Sequence, residues 1–247
     1  KSDFKKLEHD FFEGIKFLSS LEMIKSSEIV ESTLDRGNQV IAEGAQGSLL
    51  DVRFGHYPYV TSSHTVASGI GTGLGIAPHL IGPSIGIMKA YVTKVGEGPF
   101  PTELGGAYSA VWCRDNKFQI EIDKYPHPSK DSSDDFEVGI ALRRAGSEIG
   151  ATTGRLRRTG WLDIPLLRQT IKINNAKELV MTKLDVLNGF SKIKVCTHYI
   201  VNGKRTDKVP FDLSKTEVKP VYVSFPVWKG KLAQHEGKLP KEAIAYV

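Results

Sequence analysis

Ile164-Pro165-Leu166-Leu167-Arg168-Gln169-Thr170-Ile171-Lys172-Ile173-Asn174 is followed after three residues by Glu178-Leu179-Val180-Met181-Thr182-Lys183-Leu184-Asp185-Val186-Leu187. The first run places Leu166, Leu167, Ile171 and Ile173 at helical spacing. The second is short, continuous and apolar before it reaches charge, the pattern of a parallel strand buried on both faces. A helix feeding such a strand is the unit of an open sheet covered by helices. The fold class expected is therefore α/β, with a mostly parallel central sheet flanked by helices and a small antiparallel hairpin region. In such sheets ligands sit at the carboxyl ends of strands, which here is Lys183-Leu184-Asp185. A carboxylate there can accept both donors of a guanine edge, N1–H and the 2-amino group, while the Lys183 stem covers the ring face. A Lys and an Asp two apart at a strand end are also common as plain surface residues.

Upstream lies Gly150-Ala151-Thr152-Thr153-Gly154-Arg155-Leu156-Arg157-Arg158-Thr159-Gly160-Trp161-Leu162-Asp163. Two adjacent hydroxyls, a glycine and three guanidiniums within four positions leave the segment few ways to be satisfied internally. A bound carboxylate or phosphate would satisfy it, since the guanidinium fork pairs two donors with two oxygens. In an extended chain Arg155 and Arg157 point one way and Arg158 the other. The plainer alternative is a solvated basic turn.

The flanks complete the outline. Phe4, Leu7, Phe11, Phe12, Ile15, Leu18 and Leu21 mark an amphipathic helix, and Ser27 to Leu34 a second one that ends at a glycine cap, Gly37. Gln39 to Ala42 reads as a short buried strand running into Glu43-Gly44-Ala45-Gln46-Gly47, a turn that projects Gln46 into the ligand crevice. Residues 51 to 65 have neither strand nor helix period and form a long ordered loop, of the kind that is usually functional. Gly69-Ile70-Gly71-Thr72-Gly73-Leu74-Gly75 is a weak phosphate signal without a Walker lysine and reads equally as a mobile loop. Ser84 to Val95 is a strand candidate, 125 to 135 a polar surface excursion and Glu137 to Ser147 a helix. Residues 192 to 201 alternate toward a turn at Asn202-Gly203. Val218 to Phe225 is a further strand, and a helix begins at Lys241. No linker is long or polar enough to divide the chain, so residues 1–247 are expected to form a single domain.

The chain has 247 residues, 40% hydrophobic and 25% charged, with a net charge of +5 spread along its length. A small anionic substrate accounts for that charge. Neither an aromatic stacking platform nor a lysine stripe argues for nucleic acid. Its two cysteines, Cys113 and Cys196, lie far apart without metal-ligand spacing, which excludes a disulfide scaffold or zinc site and fits a cytoplasmic protein. No run of about 18 apolar residues offers a membrane span.

Five separated blocks then agree on one family: Glu43 to Gly47, Tyr57-Pro58-Tyr59-Val60-Thr61-Ser62-Ser63, Gly98-Pro99-Phe100-Pro101-Thr102-Glu103, the arginine loop, and Thr182 to Leu187. In this order they resemble adenylosuccinate synthetase. The resemblance implies a P-loop-NTPase-like fold and a purine-biosynthetic ligase that condenses IMP with L-aspartate at the expense of GTP, with Mg²⁺, by way of 6-phosphoryl-IMP. It implies a homodimer with small-molecule substrates only. Gln46 would bond the IMP oxygen under transfer and act catalytically. Thr61, Val95 and Arg155 would contact the IMP phosphate, ribose and nucleotide. Ala151, Thr152, Thr153, Gly154, Arg155, Leu156 and Arg157 would form the aspartate-carboxylate loop, and Arg157, Lys183, Leu184 and Asp185 would meet GTP. The family's Gly-Asp-Glu-Gly-Lys-Gly phosphate loop, its catalytic Asp and His, and its C-terminal Ser-Thr-Gly-Pro turn have no counterpart here. The chain is thus expected to be the middle to C-terminal part of the enzyme, inactive alone, with the Mg²⁺ ligands elsewhere. A catalytically silent nucleotide-binding or regulatory homologue is the alternative.

Overall fold

Asp163 is both the end of a strand and the cap of the helix after it, so the helix expected over Ile164–Asn174 begins where its cap accepts the Leu166 N–H, at 3.1 Å. The computed structural model describes residues 2–150, 154–228, 230, 232 and 238–247. Among them the chain divides into two units.

The first unit, residues 1–43 and 68–82, holds α1 (Ser2–Ser19), α2 (Ser26–Asp35) and α3 (Gly69–Leu74). The stripe along α1 forms as expected but is exposed, from Ile15 at 41% to Phe4 at 69%. Gly37 closes α2 at φ 75°, with its N–H on the Leu34 carbonyl at 2.8 Å. The glycine-rich run is a short helix stopped by left-handed Gly75 rather than a loop. Gln39 to Ala42, read as a buried strand, is not one. No ladder among the described residues pairs with it, and Ile41 is 93% exposed. An isolated extended segment has no cross-strand bonds to define it.

The second unit, residues 44–67 and 83–247, carries the sheets. In chain order it contains β1 (Ser84–Lys89), β2 (Val92–Lys94), α4 (Gly106–Asp115), α5 (Phe118–Lys124), α6 (Asp135–Ala145), β3 (Arg158–Gly160), β4 (Leu162–Asp163), α7 (Ile164–Asn174), β5 (Ala176–Thr182), β6 (Ile193–Val201), β7 (Lys204–Thr206), β8 (Val218–Phe225) and α8 (Lys241–Tyr246). The α/β class holds, with parallel pairs β1–β5 and β4–β6 and antiparallel pairs β2–β3, β6–β7 and β6–β8. The single strand expected over 84–95 is two strands in different sheets, because the chain breaks at buried Ala90 and Tyr91. The β5 strand, read as buried, is partly exposed: Leu179 is 44% and Val180 49% accessible, since β1 is its one partner among the described residues.

The main apolar core gathers Trp161, Leu187, Phe190, Ile193 and Trp228 beneath β4, β6 and β8. A second cluster of Trp112, Cys113, Phe136, Ile140 and Leu156 sits between α4 and α6. Asp163 lies against the main core, 2% exposed, and takes the Tyr199 hydroxyl at 2.6 Å on both oxygens. Burial outweighs those donors and pushes its carboxyl up to about 6. A folded value above the unfolded one means that its contribution is complete below pH 4 and is lost as pH rises toward 6. Between pH 4.5 and 7 the wild type should therefore lose about 2 kcal/mol relative to Asp163→Asn, whose amide oxygen can still cap α7. Thermal unfolding of both proteins across that range tests it. Parallel pH profiles would refute the assignment.

Candidate functional site

The Gln46 turn and the loop after it are organised by Asp51, a fully buried carboxylate. Its Oδ1 accepts the N–H groups of Arg53 and Phe54 at 2.8 and 3.0 Å, and its Oδ2 those of Thr65 and Val66 at 2.6 and 3.2 Å. Burial opposes ionisation, yet these four donors hold the carboxyl at about 2. Gly55 sits where a Cβ would come within 2.5 Å of the Asp51 and Leu49 carbonyls, so only glycine lets the loop fold back. The Thr61 N–H donates to the Leu50 carbonyl at 2.7 Å, and the Thr65 hydroxyl to that of Gly47 at 2.9 Å. Gln46 and Thr61 thus belong to one braced loop. Gln46 is held at φ 61° with its side chain exposed.

The arginine loop departs from the alternation expected of it. Leu156 bridges to Ile149 and is buried in the second apolar cluster. Strand β3 starts only at Arg158, so residues 155–157 do not follow its pleat. Arg155 and Arg158 consequently share a cavity of about 560 Å³, lined also by Gly96, Gly98, Cys113 and Arg114, while Arg157 turns elsewhere. Gly154 adopts φ 63°, and its N–H bonds to the Gly150 carbonyl at 2.8 Å. Residues 151–153, the hydroxyl-bearing part expected to hold aspartate, lie outside the described residues.

Arg157 and Arg158 find carboxylates within the protein, contrary to the expectation that the loop needs a ligand to satisfy it. Arg158 is forked onto Glu103 at 2.8 and 2.5 Å and also bonds the Gly96 and Gly98 carbonyls at 3.0 and 2.9 Å. That fixes the turn following Val95, itself 45% exposed beside the cavity-lining residue Gly96. Neighbouring Lys94 is pushed down to about 8 by burial and then by the Arg158 charge, against the pull of Glu103. Arg157 donates to the Oε2 of Glu148 at 3.0 Å.

Glu148, absent from the sequence reading, is the common acceptor of the region. It is fully buried and receives Lys89, Tyr91, Lys183 and Arg157. No local sequence signal marks it, because two of its cations, Lys89 and Lys183, lie 59 and 35 residues away. Lys183 stands at φ 58° with its ammonium on Glu148 and on the Gly146 carbonyl. Immediately after it a 3₁₀ turn, Leu184–Leu187, buries Leu184, Val186 and Leu187 and leaves Asp185 exposed. So Lys183 and Arg157 are brought to one carboxylate with Asp185 two residues along, Arg155 and the turn after Val95 line the cavity, and the Leu184 side chain is buried.

The comparisons with known proteins decide the family. A family model described as adenylosuccinate synthetase matches residues 3–247. The chain belongs to the adenylosuccinate synthetase family. Relatives of that name include those of Christiangramia forsetii, 41% identical over 247 residues, and Salinibacter ruber, 45% identical over 225. They align with 99% and 90% of this chain and with 51% and 44% of their own lengths, so the chain spans about half the length of the curated relatives it matches. Among solved structures, a fully ligated adenylosuccinate synthetase from Plasmodium falciparum superposes with a TM-score of 0.78 at 32% identity, covering 100% of this chain and 52% of that one.

Proposed function

We propose that this chain supplies the IMP and L-aspartate contacts and the guanine-reading end of a GTP-dependent ligase that makes adenylosuccinate, GDP and phosphate. The observation that carries the reading is the convergence of Lys183 and Arg157 on Glu148, with the exposed Asp185 two residues beyond Lys183 and the cavity lined by Arg155 and Arg158. The 6-oxygen of IMP is a poor leaving group. The γ-phosphoryl group of GTP passes to it, the aspartate amine attacks C6, and phosphate departs with that oxygen. Gln46 would donate to the oxygen as charge gathers there, Thr61 would hold the IMP phosphate, and Val95 would meet the ribose. Arg155 would bridge IMP and aspartate. The aspartate carboxylate would lie along residues 151–157. Arg157, Lys183, Leu184 and Asp185 would frame the guanine nucleotide.

Mg²⁺, when bound, would neutralise charge on the nucleotide phosphates. Among the described residues no group of three or more His, Cys, Asp or Glu is arranged to hold a metal ion. A homodimer acting in the cytoplasm on small molecules, with neither nucleic acid nor membrane as partner, completes the reading. No described helix is long and apolar enough to cross a membrane.

Full-length protein assayed with each substrate omitted in turn tests this: adenylosuccinate should form only with GTP, IMP and aspartate together. Equal turnover with ATP would refute the Asp185 role, and binding without any turnover would favour a silent homologue. Within the same assay, Arg155→Leu should raise the aspartate KM about tenfold through loss of a charge-assisted bond. An unchanged aspartate KM would return Arg155 to the status of a surface cation.

A further inference from the structure

One carboxylate holds four donors that come from three separate stretches of sequence. Glu148 receives the Lys89 ammonium at 2.8 Å on both oxygens, from the end of β1, and the Tyr91 hydroxyl at 2.6 Å on Oε1, from the break between strands. Lys183, from the turn after β5, reaches Oε1 at 3.0 Å, and Arg157, from the arginine loop, reaches Oε2 at 3.0 Å. Its backbone is engaged as well: its N–H donates to the Arg143 carbonyl at 2.8 Å and its carbonyl accepts the Arg157 N–H at 3.0 Å. The donors outweigh burial and keep the carboxyl at about 2, so it is ionised at any working pH.

We infer that Glu148 is a positioning residue that sets the guanine-reading turn and the Arg157 end of the arginine loop as one unit, acting through Lys183 and Arg157. Lys183 is a flexible side chain that would otherwise sample many rotamers. Tethered at its tip to Glu148 and to the Gly146 carbonyl, and started from a left-handed backbone, its methylene stem is laid along a single path beside Asp185. The path depends on Gly146, where a Cβ would stand 2.1 Å from the Tyr91 hydroxyl. The same carboxylate fixes the Arg157 head, and with it the strand that begins beyond residues 151–153. Three cations share one carboxylate, Lys89, Arg157 and Lys183 against Glu148, so the cluster retains positive charge for an anionic nucleotide. Nothing in Glu148 need touch a substrate, because it is wholly buried.

This inference rests on Lys183 and Asp185 contacting the guanine nucleotide. Its test compares full-length wild type, Glu148→Gln, Lys183→Met and the double variant by steady-state kinetics. Glu148→Gln should raise the KM for GTP about tenfold and that for aspartate about fivefold, with kcat changed less than about threefold, the signature of lost ground-state binding. The double variant should raise the KM for GTP by less than the product of the two single effects, since Glu148 acts in part through Lys183. KM values within twofold of wild type in Glu148→Gln, or effects that multiply in the double variant, would overturn the inference. Should Glu148→Gln fail to fold, Tyr91→Phe removes one donor and keeps the charge. An increase of about threefold in GTP KM is then expected in the folded variant, and an unchanged KM overturns the proposal. A wild type that does not need GTP would instead remove the nucleotide reading on which this one stands.

Discussion

Arg143→Met should lower the unfolding free energy by about 3 to 5 kcal/mol, the cost of leaving a buried charge without its partner. Arg143 and Glu121 are both fully buried, and the guanidinium bonds the Glu121 carboxylate directly. The same Glu121 oxygen takes the Trp112 indole N–H at 3.0 Å, while its other oxygen has no hydrogen-bond partner among the described residues. Burial accordingly raises the Glu121 carboxyl above the usual range despite the adjacent Arg143 charge. Removing the arginine strips away the strongest group keeping that carboxylate ionised. The remaining donors of Arg143 tie the pair to the arginine loop: Nε donates to the Arg157 carbonyl at 2.7 Å and Nη2 to Cys113 Sγ at 3.1 Å. Replacing both partners, Arg143→Met with Glu121→Leu, should recover most of the loss, because an apolar pair carries no desolvation cost. Urea unfolding of wild type and the two variants distinguishes the cases. A single variant within about 1 kcal/mol of wild type would mean that the pair contributes no more than a surface contact.

That cluster illustrates what the sequence carried and what it did not. Local signals translated directly into structure. The apolar spacing placed α7, and Asn202-Gly203 formed the left-handed pair, φ 50° and 75°, that a two-residue hairpin turn requires. The alternation over 192–201 also held, apart from a bulge between Cys196 and His198 that turns Val195 and Cys196 both inward. Features defined by distant partners were not legible. A run such as Gln39 to Ala42 is a strand only when another strand pairs with it, and its composition says nothing of whether one does. The arginine loop looked unsatisfied because its acceptors lie elsewhere: Glu103 is 55 residues from Arg158. Glu148 is nearer in sequence, but its role emerges only when β1 and the turn after β5 converge on it. Spacing identified the cations of the candidate site, and packing alone revealed the buried carboxylates that aim them.

Gln46→Gly should separate function from stability more sharply than any other change at the site. Gln46 occupies the left-handed region at φ 61°, a conformation that L residues other than Asn and Asp adopt at a cost of roughly 1 kcal/mol or more. Its side chain is exposed, so it does not contribute core packing that would explain why the strain is kept. The surrounding loop imposes the conformation through the Asp51 carboxylate and the Thr65 hydroxyl on the Gly47 carbonyl. Glycine adopts the same φ without penalty, and its greater freedom in the unfolded chain offsets part of the gain. Stability should be unchanged or higher by up to about 1 kcal/mol. If the amide of Gln46 donates to the purine oxygen as it is phosphorylated, the same substitution should lower kcat of the full-length enzyme by about 10² to 10³, the loss expected for one oxyanion donor. The two quantities would then move in opposite directions, the mark of strain retained for function. A raised IMP KM with unchanged kcat would reduce Gln46 to a binding contact. A variant both less stable and only slightly slower would make the left-handed glutamine a structural feature of its loop.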